Sequence, residues 1–293
     1  MSVVTAAPTV LRLDARPPFD GAGVLRWLAA RAVPGIEESG DGAYRRTLRL
    51  PGGPGVVEAV PRDDHVRATL HVEREADLDA AVAACRRLLD LDADPRAHRD
   101  VLAADPALAP LVAATPGMRA PGTVDPAESA VRAVLGQQVS LAAARTLARR
   151  LVEACGAPLA EPAGPLTHVF PAPAAIADER VLEAIGMPGA RQRTLHALCS
   201  SLAAGELVLD ERADPAGVRE DLLAIPGIGP WTADYIALRA LGDADAFPAG
   251  DLGLRRSARA LGLPDDTVGL EAYSERWRPW RPYAAHYLWA AGA

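Results

Sequence analysis

Apolar side chains recur with two different periods in the first third of the chain. Residues 10–13 (VLRL), 44–50 (YRRTLRL), 56–60 and 66–72 (VRATLHV) alternate apolar and polar positions, wholly or in part. That is the pattern of a strand with one covered face. The clusters PGGPG and PRDD separate the later strands as turns, so the sheet is expected to be antiparallel. Residues 21–31 place Val24, Leu25, Trp27 and Leu28 at helical spacing. A second helix over 76–91 offers Leu78, Val82, Leu88 and Leu89 to cover the sheet. Residues 1–93 therefore read as a mixed α/β domain.

From Asp94 onward the pattern is helices joined by short Pro- and Gly-containing connections. Asp125, Pro126 and Glu128 form a helix start of the capping-box type, and that helix runs to about Gln137. Ser140 opens the next, which stops at Gly156. Further helices are predicted over 178–185, 190–204 and 215–225, with a Pro-rich loop near 157–173. The expected fold class is α+β, an N-terminal sheet domain (1–93) followed by an all-α region (94–293).

Composition narrows the picture. A length of 293 residues suits about two domains, and a formal charge of −7 argues against non-specific coating of nucleic acid while leaving room for a local DNA-binding face. All 31 basic residues are Arg, and there is no Lys. Cys85, Cys155 and Cys199 have neither metal-ligand spacing nor a disulfide framework, and read as free thiols in a reducing cytoplasm, so no metal site is expected. The N-terminus MSVVTAAPTVLRLD lacks the features of a signal peptide, and no apolar run reaches membrane-spanning length.

The chemistry concentrates after residue 222, in LLAIPGIGPWTADYIALRAL. Two helices meet at PGIG. Gly227 and Gly229 are expected to supply backbone freedom and close approach, Ile228 to tuck between the helices, and Pro230 to open the second one. The N–H groups of that helix start can hold an anion such as a phosphate, although the same turn also serves as a plain corner between helices. Asp251 follows Trp231 by twenty residues and precedes LGLRRSARAL. It can cap that helix, and a carboxylate kept ionised by the helix dipole can also act on a substrate.

The full pattern LxxIPGIGxxTA resembles the helix-hairpin-helix element of DNA repair proteins, and FPAGDLGLRR (247–256) is similar to the Gly/Pro…Asp extension of the helix-hairpin-helix DNA glycosylase superfamily. The position of the lyase-branch Lys is occupied here by Trp231, and no other Lys exists to form a Schiff base. The last cysteine is Cys199, so the four-Cys iron–sulfur run is missing. Gly117-Met118-Arg119 with Pro121-Gly122, VRAVLGQQVS (131–140), GMPGARQRTL (186–195) and ERWRPWRPYAAHYLW (275–289) resemble the alkylpurine branch, DNA-3-methyladenine glycosylase II.

That resemblance implies two helical subdomains flanking a cleft. It implies a monofunctional enzyme that flips an alkylated base, such as 3-methyladenine or 7-methylguanine, out of double-stranded DNA and hydrolyses its N-glycosidic bond. Asp251 becomes the catalytic carboxylate, with Trp231, Tyr235 and Trp289 as the base pocket. Pro226, Gly227, Ile228, Gly229 and Thr232 would contact DNA, and Gln137 and Gln138 the gap left by the flipped base. The family's best-known wedge is apolar, so Gln138 is a departure. No cofactor is implied, a monovalent cation at the hairpin carbonyls stays open, and the chain is expected to act as a monomer. Trp277 and Trp280 read as core; Arg276, Arg278 and Arg281 either steer phosphate or form a solvated face. Glycosylase action on another damaged base, and a non-catalytic DNA-binding module, stay as alternatives.

Overall fold

The computed structural model of the chain describes residues 7–210 and 212–292. Residues 1–6, the opening of the stretch read for a signal peptide, lie outside the described residues. Strand β1 (Thr9–Asp14) is followed by helix α1 (Gly21–Arg31) and strands β2 (Glu37–Gly40), β3 (Ala43–Leu50), β4 (Gly53–Pro61) and β5 (His65–Val72), then helix α2 (Leu78–Leu89). The five strands form one antiparallel sheet in the order β1-β5-β4-β3-β2, so the first strand closes the edge beside the last. Alternation puts Leu13, Tyr44, Leu48, Val57, Ala59, Val66, Ala68 and Leu70 into a single buried layer. Helix α2 covers it, but with a stripe of Ala81, Cys85, Leu88 and Leu89; Leu78 and Val82 sit at the margin.

The remainder is helical: α3 (Pro95–Ala103), α4 (Ala109–Ala114), α5 (Pro126–Leu135) and α6 (Leu141–Cys155), then α7 (Pro173–Ile176), α8 (Glu179–Ala184), α9 (Gly189–Ala204), α10 (Pro215–Ala224), α11 (Pro230–Ile236), α12 (Leu252–Ala260), α13 (Thr267–Ser274) and α14 (Arg281–Ala291). Side-chain caps start most of the longer ones. Asp125 Oδ1 accepts from Ala127 N at 2.9 Å, Ser140 Oγ from Ala143 N at 3.2 Å, and Asp214 from the first turn of α10. Helices α5, α9 and α11 cross in the middle of the larger core, where Leu135, Leu195, Leu198 and Ile236 are fully buried. No helix among the described residues is long and apolar enough to cross a membrane.

The structure adds one strand to the sequence reading and corrects it at two places. The segment Glu37–Gly40 (EESG) is a strand despite its polarity, because β2 pairs with β3 and Glu37 is buried in an ion cluster. The Pro-rich stretch is a β-hairpin, β6 (Ala157–Ala163) with β7 (Leu166–Val169), tied to the N-terminal region by Thr167 N donating to Gly35 O at 2.8 Å. Glu128 does not complete a capping box. Its carboxylate turns to Arg46 Nη2 at 2.7 Å and Arg132 Nη1 at 2.9 Å.

The sheet domain is fastened to the helices at many points. Val33 and Ile36, just after α1, are buried in the helical core. Asp20 N donates to Gly117 O, and Gly122 N to Arg87 O, through the Gly117 and Pro121-Gly122 segments. The cysteines are free, and burial pushes the thiols of Cys85 and Cys199 up to about 12 and that of Cys155 up to about 11, which leaves them unreactive.

Candidate active site

A cavity of about 1150 Å³ opens between the end of α1, the α5–α6 corner, the α10–α11 hairpin, the start of α12 and α14. Its lining includes Gln137, Gln138, Gly227, Gly229, Trp231, Thr232, Tyr235, Asp251 and Trp289, so most of the residues singled out in the sequence converge on one space. Pro226 is exposed just outside that lining.

The hairpin is built as the sequence suggests, with one exception. Gly227 has φ +89°, and a Cβ there would overlap Thr194 Oγ1, which donates to Pro226 O at 3.0 Å. Ile228 is 5% exposed and packs in the helical core, so its side chain holds the two helices together. Gly229, by contrast, is extended (φ −101°, ψ 177°), and a Cβ there would meet open space. Nothing within the protein demands a glycine at 229. Helix α11 continues past Tyr235 into a π-helical turn, Ala237–Leu241, which carries Arg239 back toward Pro121 O.

Asp251 is the N-cap of α12, with Oδ1 accepting from Leu254 N at 2.9 Å. Both carboxylate oxygens also receive an indole N–H. Trp289 Nε1 donates to Oδ1 at 2.9 Å, and Trp231 Nε1 to Oδ2 at 3.1 Å. These three donors to the carboxylate are all uncharged, so they fix its orientation without cancelling its charge. Gly253 makes room: a Cβ there would lie 3.0 Å from Asp251 Oδ1 and 3.3 Å from Trp289 Cδ1. The rings continue the wall. Trp231 and Tyr235, four apart on α11, stack with centroids 5.7 Å apart, and Tyr235 meets Trp289 edge-on at 6.2 Å.

Gln137 and Gln138 part company. Gln137 Nε2 donates to Gly227 O and Thr232 Oγ1, both at 3.0 Å, and so staples the end of α5 to the hairpin. Thr232 is only 2% exposed. Gln138 is exposed at the cavity rim in the left-handed conformation, φ +54°, beside the exposed apolar side chains of Val139 and Leu141.

Two of the C-terminal arginines are structural. Arg281 is buried and paired with Asp245 and Glu271, while Arg278 bridges Asp245 and Glu275. Arg276 lies over the Tyr273 ring. Trp277 is core, its Nε1 donating to Asp105 Oδ2 at 2.9 Å, and Trp280 is partly buried against the same core.

The sequence reading missed the contribution of the N-terminal domain. Trp27, on α1, packs at a tilt against Trp289, centroids 5.1 Å apart, and against His286 at 4.5 Å. Arg31 lies over the outer face of Trp27, 3.1 Å from its centroid, and lines the cavity. Burial pushes Arg239 down to about 10 and, with Arg239 and Arg31 nearby, holds His286 well below its ordinary value and neutral.

Residues 10–125 match the model of the AlkA N-terminal domain, and residues 131–282 that of the HhH-GPD superfamily base excision DNA repair protein. The chain is 55% identical over 289 residues to the probable bifunctional transcriptional activator/DNA repair enzyme AlkA of Mycobacterium tuberculosis, covering 98% of this chain but 58% of that protein. It therefore spans little more than half the length of that relative. DNA-3-methyladenine glycosylase 2 of Escherichia coli is 38% identical over 283 residues, 94% of this chain and 95% of that protein. Among solved structures, 3-methyladenine DNA-glycosylase from Archaeoglobus fulgidus shares the fold with a TM-score of 0.84 at 22% identity, covering 96% of this chain and 97% of that one. By its hairpin, its aspartate and these matches, the chain belongs to the HhH-GPD superfamily of base excision DNA repair proteins.

Proposed function

We propose that this chain is a monofunctional DNA glycosylase that hydrolyses the N-glycosidic bond of alkylated bases, 3-methyladenine and 7-methylguanine among them, and leaves an intact abasic site. The observation that carries the reading is Asp251, a carboxylate fixed by three neutral N–H donors at the wall of a ring-lined cavity.

N3- and N7-alkylated purines are cationic and leave readily, so the transition state places positive charge on the deoxyribose rather than demanding a strong acid. A carboxylate already oriented toward that position stabilises the oxocarbenium ion and aligns or deprotonates the attacking water. Trp231, Tyr235 and Trp289 offer electron-rich faces for the extruded base, worth about 0.5–2 kcal/mol per cation–π contact. The hairpin backbone at Pro226–Gly229 and the start of α11 suit a DNA phosphate, and the open space at Gly229 allows the strand to approach. Gln138 is placed to fill the gap in the duplex, with Val139 and Leu141 supplying the apolar surface that Gln138 lacks. Gln137 supports the hairpin beside the same gap. Without Lys anywhere in the chain, no lysine Schiff base forms, and strand cleavage by that route is closed.

The test is release of 3-methyladenine and 7-methylguanine from methylated double-stranded DNA by the wild type and by Asp251→Asn. The wild type is expected to release both bases and leave strands intact until alkali is added, and the variant to lose most of that activity. Equal release by both proteins removes Asp251 from the chemistry, and scission without alkali contradicts a monofunctional enzyme.

A further inference from the structure

We propose that Arg31, delivered by the N-terminal domain, is a specificity-determining residue that selects bases carrying a ring carbonyl oxygen over those carrying an amine at the same position. The inference rests on the glycosylase reading above and deepens it.

Arg31 is not a surface arginine that happens to fall near the cavity. It ends α1, and that end is anchored from the helical side. Arg132 Nη2 donates to Arg31 O at 2.5 Å, and Arg145 Nε donates to Ala32 O at 2.8 Å. Arg132 is itself fixed by Glu37 and Glu128 at 3.0 and 2.9 Å. The Arg31 guanidinium lies over Trp27 with Nη1 donating to Trp27 O at 3.3 Å, and Trp27 rests on Trp289, whose indole holds Asp251. The chain of contacts from Arg31 through Trp27 and Trp289 to Asp251 sets the guanidinium at a fixed height along the cavity wall. Arg31, Tyr235 and Asp251 all line the one cavity; burial lowers the proton affinity of Arg31, while Tyr235 and Asp251 act in the opposite direction.

A guanidinium in that wall constrains the ligand. It presents only N–H donors and no acceptor, and a second buried cation, Arg239, lies on the same side, 5.7 Å from the Trp27 centroid. Ring faces alone attract any cationic purine, but the fixed positive charge opposes it equally for all of them. What distinguishes one lesion from another is the edge facing Arg31. A carbonyl oxygen accepts a charge-assisted hydrogen bond there. An exocyclic amine sets donor against donor and leaves the guanidinium unsatisfied in a confined site.

The cleanest probe is the pair 3-methylguanine and 3-methyladenine, both formed in a single sample of methylated DNA. They carry the same methyl group on the same atom and the same charge; at C6 one has oxygen and the other an amine. The 2-amine that only guanine carries is common to every protein compared, so the change of the ratio on substituting Arg31 is what is read. Initial rates of release of the two bases give their ratio of kcat/KM. Arg31→Met keeps a long side chain over Trp27 but removes all donors; Arg31→Lys keeps the charge and loses the planar fork. Against the wild type, the Met variant is expected to lower the 3-methylguanine to 3-methyladenine ratio about tenfold, the loss of one hydrogen bond to a charged donor. The Lys variant should fall between the two, and binding to DNA containing an abasic-site analogue, which lacks the base, should stay unchanged in both. An unchanged ratio, with both bases released more slowly in equal measure, overturns the proposal and makes Arg31 a prop for Trp27. A raised ratio overturns it as well. Failure of the wild type to release either base defeats the glycosylase reading itself, and unfolding of the Met variant, detected by circular dichroism, leaves the Lys variant to decide the ratio.

Discussion

Two carboxylate clusters border the same cavity and are satisfied in opposite ways. At one end, Asp251 accepts from two indoles and one backbone amide, all neutral. At the other, Glu37 and Glu128 are enclosed with Arg46, Arg132 and the Tyr44 hydroxyl, with Arg46 only 2% exposed. Burial by itself raises Glu37, but Arg132 and Arg46 more than reverse this and leave it below the ordinary carboxylate range. Both arginines are held above their ordinary values by the glutamates, against the burial that lowers them. Cations cancel the charge of the second cluster. Neutral donors fix the first in direction only, so the Asp251 carboxylate meets the cavity without a hydrogen-bonded cation on it. The same functional group, a carboxylate, thus serves the fold where its charge is paired and suits chemistry where it is not.

Breaking the ion-paired cluster should have the largest effect on stability. Glu128→Ala leaves Arg46 and Arg132 short of a partner inside the protein and is expected to cost about 3–5 kcal/mol of unfolding free energy, measured by denaturant titration. A loss below about 1 kcal/mol would mean that water enters the cluster and the contrast is not real. Asp251→Asn should do the reverse. Asn is as good an N-cap, so stability should change by no more than about 1 kcal/mol, while base release falls by about 10²–10³-fold. If stability falls as far as activity, the Asp251 carboxylate is a structural group like the other two.

Gly253→Ala separates geometry from charge at the same site. The added methyl crowds Asp251 Oδ1 and Trp289 Cδ1 and pushes the carboxylate off its indole donors, although its charge remains. Base release should drop about 10-fold to 100-fold through misplacement. Stability should change by no more than about 1 kcal/mol, since the helix gain of Ala over Gly offsets the crowding at the cap. Unaltered activity would show that the orientation of Asp251 is not critical.

The part of the candidate site contributed by the helical region was legible because its residues fall within local patterns. Gly227, Ile228, Trp231 and Tyr235 lie on one hairpin, Asp251 opens a helix, and these positions with Trp289 line or support a single cavity. Trp27 and Arg31 escaped because α1 reads as an amphipathic helix with a core stripe. Their pairing with Trp289 depends on how two domains dock across more than 250 residues of chain. Docking also hid the role of Glu128, whose helix-start spacing matched a capping box while its true partners lay on β3 and one turn ahead on its own helix. The strand at Glu37–Gly40 gave no apolar alternation, since its buried side chain is a paired glutamate. The glycine at 229 was legible as a motif but not as a constraint, because whatever needs the open space is not part of this chain.

A third carboxylate tests the comparison at its smallest scale. Asp90 closes α2 in the left-handed conformation, φ +53°, and Oδ2 accepts from Ala120 N at 2.8 Å and Tyr283 Oη at 3.0 Å. Like Asp251 it has only neutral donors, but it faces the domain seam instead of the cavity. Burial lifts it from 3.8 to about 6, with the two hydrogen bonds opposing that rise. A carboxyl raised in the folded state binds its proton more tightly there than when unfolded. Its contribution to stability is therefore complete below about pH 4 and is lost as pH climbs through 6. Asp90→Asn preserves both hydrogen bonds and tolerates the left-handed backbone while removing the ionisation. The variant should match the wild type near pH 4 and exceed it at pH 7 by about 1–2 kcal/mol, with the intervening pH slope flattened. Thermal unfolding at several pH values reads this directly. A variant that is less stable than the wild type at pH 7 would show that the ionised Asp90 is favourably paired, and that neutral donors can support a buried charge in this protein without help from an open cavity.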